Sequence, residues 1–103
     1  MTHSENRQFI ENIFNELKQL GAVRSTNDFS VNWLGMNAGY LHCLRSRDRQ
    51  PSPRVLAHCS MRLRRASNLL TSVEQPPKVQ KVAERMKELA EACAEAVFVE
   101  YEA

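Results

Sequence analysis

Seven arginines and two His-Cys dipeptides are the residues of this chain whose types could do chemistry. Between Tyr40 and Arg65 the charged residues are Arg45, Arg47, Asp48, Arg49, Arg54, Arg62, Arg64 and Arg65. That is seven positive charges against one negative, a local +6 in a chain whose formal net charge is +2. A solvated face ordinarily mixes both signs and mixes Lys with Arg. A cluster of arginine alone suits planar, forked contact with phosphate or carboxylate groups, so a polyanionic partner is expected. From Pro76 onward Lys78, Lys81, Arg85 and Lys87 stand against six glutamates, and the balance turns to −2.

His42-Cys43 and His58-Cys59 repeat one dipeptide, and two imidazoles with two thiolates could complete a zinc tetrahedron. Adjacent helical residues point about 100° apart, and structural zinc pairs normally have two or more residues between ligands, so no metal site is expected. Cys59 reads instead as a small core hydrophobe. No serine or cysteine lies in a nucleophile motif, and Cys43 among its arginines has no orienting acid or oxyanion site. Neither enzymatic activity nor a cofactor is therefore expected. A chain of 103 residues makes one domain with a modest core and no cleft between domains. The three cysteines are widely spaced, Met1 to Phe14 lacks the apolar core of a signal peptide, and no apolar run approaches a bilayer span of roughly 18 to 20 residues. The expectation is a soluble, cytoplasmic protein with free thiols and no membrane partner.

Helices must position these groups. Met1 to Asn6 is expected to fray; Phe9, Ile10, Ile13, Phe14, Leu17 and Leu20 then recur at helical spacing, and Gly21 supplies the stop. Ser25 can cap a second helix with Asp28 at its third position, followed by Phe29, Trp33 and Leu34 and ended by Gly35. Asn37 can cap another helix almost at once, spanning Ala38 to Arg45, and so short a turn sends it off at a steep angle. Trp33, Met36 and Met61 read as core residues, and Tyr40 as the more exposed aromatic. Ser52-Pro53 opens a further helix with Val55, Leu56, Cys59, Leu63, Ala66, Leu69 and Leu70 on its apolar face and Arg54, Arg62 and Arg65 opposite. Thr71 to Pro77 is a connector. The last helix, Lys78 to Tyr101, carries Val79, Val82, Met86, Leu89 and Cys93 in alternating steps of three and four, widened by Ala83, Ala90, Val97, Phe98 and Tyr101. It must pack back on the chain or pair with a second copy, and the heptad-like seam favours a dimer. The expected division is a helix-turn-helix unit over 7–70 and a C-terminal helix over 77–103 for packing or dimerisation.

Two short helices hinged at a glycine have the layout of a helix-turn-helix. The run Phe29-Ser30, Leu34-Gly35-Met36-Asn37, Leu41, Leu44, Pro51-Ser52, Leu56 and Leu63 resembles the lambda-repressor-like (XRE-type) DNA-binding domain over roughly Phe9 to Leu70. The resemblance implies a compact all-α fold of four to five helices, extended here by the long C-terminal amphipathic helix. It also implies that the helix after the hinge enters the major groove of double-stranded DNA. Carried over position by position, the DNA-binding residues are Asn37 at the turn, Ala38, Gly39, His42 and Cys43 facing bases, Tyr40 near the backbone, and Arg45, Arg47, Arg49 and Arg54 on phosphates. The pattern departs from the family in places. Ala38 can touch only a thymine methyl and Gly39 has no side chain, so sequence readout rests on His42. Arg45 stands where the family commonly has glutamate, and Arg47 where it has glycine; both favour phosphate contact over narrow specificity. A homodimeric transcriptional regulator is the expected function. The alternatives are an adaptor that grips an acidic protein and a binder of structured RNA.

Overall fold

Five helices make up residues 3–102 of the computed structural model, which describes side chains from Glu5 to Val99. The first, α1 (His3–Gln19), buries Ile10, Ile13, Phe14 and Leu17 on one stripe. It starts earlier than Met1 to Asn6 would suggest: the helix reaches back to His3, Asn6 is buried, and the Arg7 N–H donates to Gln50 Oε1 at 2.8 Å. The first turn is thus held by a residue from a distant loop. At the other end Gly21 adopts φ +78°, with Ala22 N–H on the Leu17 carbonyl at 2.9 Å and Gly21 N–H on that of Lys18 at 3.1 Å. These two bonds are the paired closure that a left-handed residue permits. Leu20 falls outside it and is exposed.

Helix α2 (Thr26–Asn32) starts at Ser25, whose hydroxyl accepts from the Asp28 N–H at 3.1 Å. The Asp28 carboxylate reaches back to the Arg24 N–H at 2.9 Å, one residue before the cap, and accepts from the Asn32 amide. Those two bonds, the backbone one first, hold its pKa below the ordinary 3.8. Phe29 is fully buried with its ring centroid 5.3 Å from that of Phe14. Trp33 lies in the core as expected, with the Arg62 guanidinium 4.6 Å above its ring.

After the turn comes α3 (Tyr40–Ser46), then α4 (Pro53–Thr71), whose Ser52 hydroxyl accepts from the Val55 N–H at 3.3 Å with Pro53 in the first turn, as the Ser-Pro pair predicts. Helix α5 (Pro77–Glu102) returns along α4. Small residues let the two backbones approach. The Ser60 hydroxyl donates to the Ala90 carbonyl at 2.6 Å, the Ser67 hydroxyl donates to that of Ala83 at 2.7 Å, and Ala83, Ala90 and Ala96 are buried. The heptad-like seam of α5 is therefore spent inside the chain, with Met86, Leu89 and Cys93 joining α1 and α4 in one core. Cys59 and Cys93 meet there; their mutual hydrogen bond and then burial push the Cys59 thiol well up.

Several expected core positions are exposed instead. Met36, Met61, Leu69 and Phe98 all stand out from the surface, and the side chain of Tyr101 lies outside the described residues. On α4 the shared core takes only the stripe centred on Leu56, Cys59 and Leu63, which turns Met61 and Leu69 outward. No helix among the described residues is long and apolar enough to cross a membrane.

Candidate nucleic-acid interface

The short helix α3 buries only Leu41 and Leu44. It begins at Tyr40, two residues later than the spacing suggested, so Ala38 and Gly39 belong to the turn, where both are exposed. Asn37 does not cap the helix. Its side-chain oxygen accepts from the Gly39 N–H at 3.1 Å, closing the turn on itself, and the Tyr40 N–H donates to the Asn37 carbonyl at 3.1 Å. The Gly39 cap position has no side-chain bond. A free N–H at the start of α3 is satisfied from another helix: fully buried Ser30 on α2 accepts from the Leu41 N–H at 3.1 Å and donates to the Thr26 carbonyl at 2.8 Å. The small residue after Phe29 is thus the clasp that seats α3 on α2.

The hinge itself is tight. Gly35 has φ +68°, and a Cβ there would lie 2.6–2.8 Å from atoms of the His58 ring on α4. Neither a left-handed backbone nor so close an approach suits another residue. Beside it an open depression of about 550 Å³ is lined by Gly35, Met36, Ser52, Arg54 and His58. Arg54 therefore borders the same turn that leads into α3.

The far end of α3 closes on Asp48, a non-glycine residue with φ 49°. The Arg49 N–H donates to the Leu44 carbonyl at 2.9 Å and the Asp48 N–H to that of Arg45 at 3.4 Å, the same closure that Gly21 makes. Aspartate tolerates this conformation better than most side chains. Its carboxylate accepts from Arg7 Nη1 at 2.7 Å.

The expected contact residues separate on inspection. His42 and Cys43 are exposed on α3. Tyr40 is half-buried against the core rather than prominent, and burial pushes its phenol up. Arg45 is not a free cation: its guanidinium forks onto Glu11 of α1 through two bonds of 2.6 Å, and the Glu11 side chain is only 18% exposed. Arg47, Arg49 and Arg54 are exposed and form no ion pair among the described residues. Three uncommitted guanidiniums thus border the hinge and α3, where the sequence alone suggested four. Arg7 enters the neighbourhood and is matched by Asp48. Glu11, Arg7, Ser30 and His58 were not visible as site residues in the sequence. Glu11 and Arg7 lie more than thirty residues from their partners, and only a hydroxyl at a small buried position hinted at Ser30.

Of the two His-Cys pairs, one is exposed on α3, while the other puts His58 over Gly35 and Cys59 in the core. The described residues contain no group of three or more His, Cys, Asp or Glu side chains placed to hold a metal ion.

Fold and site together define a small all-α protein that presents a short third helix between a glycine hinge and an arginine loop. The chain belongs to the family of unknown function DUF6626, which it matches over residues 10–102, most of α1 and all of α2 to α5. No curated protein and no solved structure matches it.

Proposed function

We propose that this protein binds double-stranded DNA as a homodimeric, cytoplasmic transcriptional regulator of lambda-repressor-like design, with α3 in the major groove. One observation carries the reading. Helix α3 turns His42, Cys43 and Ser46 outward, and the segments next to it bear Arg47, Arg49 and Arg54 without internal counter-charge. Phosphate contact then supplies most of the affinity, while Ala38, Gly39 and Cys43 give bases little to read, so sequence preference is shallow and centres on His42. Three neutralised phosphates give a slope of log K against log salt of about −2.7 per protomer. The test is retardation of a random duplex at low salt, followed by its salt dependence. A duplex that is not retarded, or a flat salt response, refutes the proposal.

The Arg45–Glu11 fork favours one second reading. A helix whose terminal cation is already neutralised within the chain and whose first turn lacks base-reading side chains also suits an adaptor for an acidic protein segment. Such an adaptor leaves duplex DNA unretarded and binds an acidic peptide in a salt-dependent way.

A further inference from the structure

The α4–α5 pair has a second long face that the core does not use. On α4 it carries Ala57, Met61 and Arg64 at helical spacing, and on α5 Glu91, Ala94 and Phe98. Phe98 is 68% exposed and Met61 58%. Between the helices, Ala57, Ser60, Ala94, Val97 and Phe98 line a shallow, almost wholly apolar depression of about 160 Å³. Charge divides along the same line. Helix α4 contains arginines and no acid, and Arg64 and Arg65 form no ion pair among the described residues. On α5 the same holds for Glu84, Glu91 and Glu95, with Lys87 the cation among them. An apolar strip thus runs between a positive edge and a mainly negative one.

We propose that this face docks a second copy of the chain about a two-fold axis running along the helix pair. That axis sets α4 of each copy over α5 of the other, so arginines meet glutamates and each copy offers Phe98 to the apolar depression opposite. An axis across the helices would instead place like charge on like. The contact is self-complementary and closes at two copies. It differs from the heptad seam, which lies in the core. The inference names the surface for the two-copy part of the DNA-binding reading and rests on that reading only for its purpose.

Sedimentation equilibrium of the full chain without nucleic acid tests it. The mass is expected to rise with concentration from 11.8 kDa toward twice that value. Met61→Glu with Phe98→Glu should hold the chain at the single-copy mass under conditions where the unmodified protein is dimeric. Val73→Glu, at a 63% exposed position beyond the end of α4, should leave it dimeric, and all variants should keep the helical circular dichroism. Arg64→Glu with Arg65→Glu should weaken the dimer about tenfold or more, and adding Glu91→Arg with Glu95→Arg should restore it. A single-copy mass at every concentration overturns the interface, as does a Met61/Phe98 variant that dimerises like the parent. A monomer that still retards duplex DNA overturns this surface alone; a dimer that retards none overturns the nucleic-acid reading alone.

Discussion

Replacing Ser30 with alanine removes one oxygen from a fully buried position and leaves the volume almost unchanged, so it isolates the clasp between α2 and α3. The lost acceptor serves the Leu41 N–H, a buried donor that no backbone carbonyl can reach at the start of a helix. Leaving such a donor unsatisfied costs about 1–3 kcal/mol, and measured losses of helix N-terminal acceptors run about 0.5–2 kcal/mol. The two figures describe the same interaction, so they do not add, and about 2 kcal/mol is expected. For a domain of this size that corresponds to a fall in Tm of roughly 10 °C. Thermal and urea unfolding followed by circular dichroism reads it, with Ser46→Ala as the control. Ser46 is exposed, and its hydroxyl bonds only to the Cys43 carbonyl within its own helix, so its loss should stay within about 0.5 kcal/mol. If Ser30→Ala is as mild as Ser46→Ala, the start of α3 does not depend on the clasp and the account of its seating is wrong.

Gly35→Ala should destabilise by at least the roughly 1–2 kcal/mol of a left-handed alanine, and combining it with His58→Ala should recover the part due to ring contact but not the backbone part in urea titrations. Arg47→Ala with Arg49→Ala should reduce the magnitude of the DNA salt slope by about 1.8, whereas Arg45→Ala should leave it nearly unchanged and lower stability by at most about 1 kcal/mol. Equal effects on the slope would show that the Glu11 fork opens on binding. The lowered pKa of Asp28 means that its stabilisation is complete above pH 3.8 and is lost as pH falls through the folded-state value. The urea midpoints of the parent and Asp28→Asn should therefore differ most above pH 3.8 and converge in stronger acid. A thiol reagent should modify Cys43 alone in the native protein and all three cysteines in denaturant; rapid native reaction of Cys59 or Cys93 would contradict their burial.

Local signals in the sequence located the helices well. Ser25, Ser52-Pro53 and Gly21 carry their capping chemistry within a few residues, and each acts where its neighbours predict. Expectations failed where partners come from afar. Asn37 looks like a cap, but α3 takes its acceptor from Ser30, so Asn37 is left to close the turn and the helix starts at Tyr40. Arg45 looks like a phosphate ligand because Glu11 lies thirty-four residues away and nothing in α1 announces the pairing. The α5 stripe is legible as an apolar seam, yet periodicity cannot say whether a seam meets another chain or its own. The serines of α4 that bond to Ala83 and Ala90 decide that question, and they read from sequence as ordinary polar residues.

The fork between Glu11 and Arg45 and the clasp from Ser30 to Leu41 have a consequence for anyone who would re-engineer this protein. Both ends of the seven-residue α3 are tethered by groups outside it, one on α1 and one on α2. Tyr40–Ser46 is accordingly no interchangeable cassette: transplanted alone into another scaffold, it would arrive with an idle guanidinium and an orphaned amide. A working transplant has to carry Glu11 and Ser30 with it.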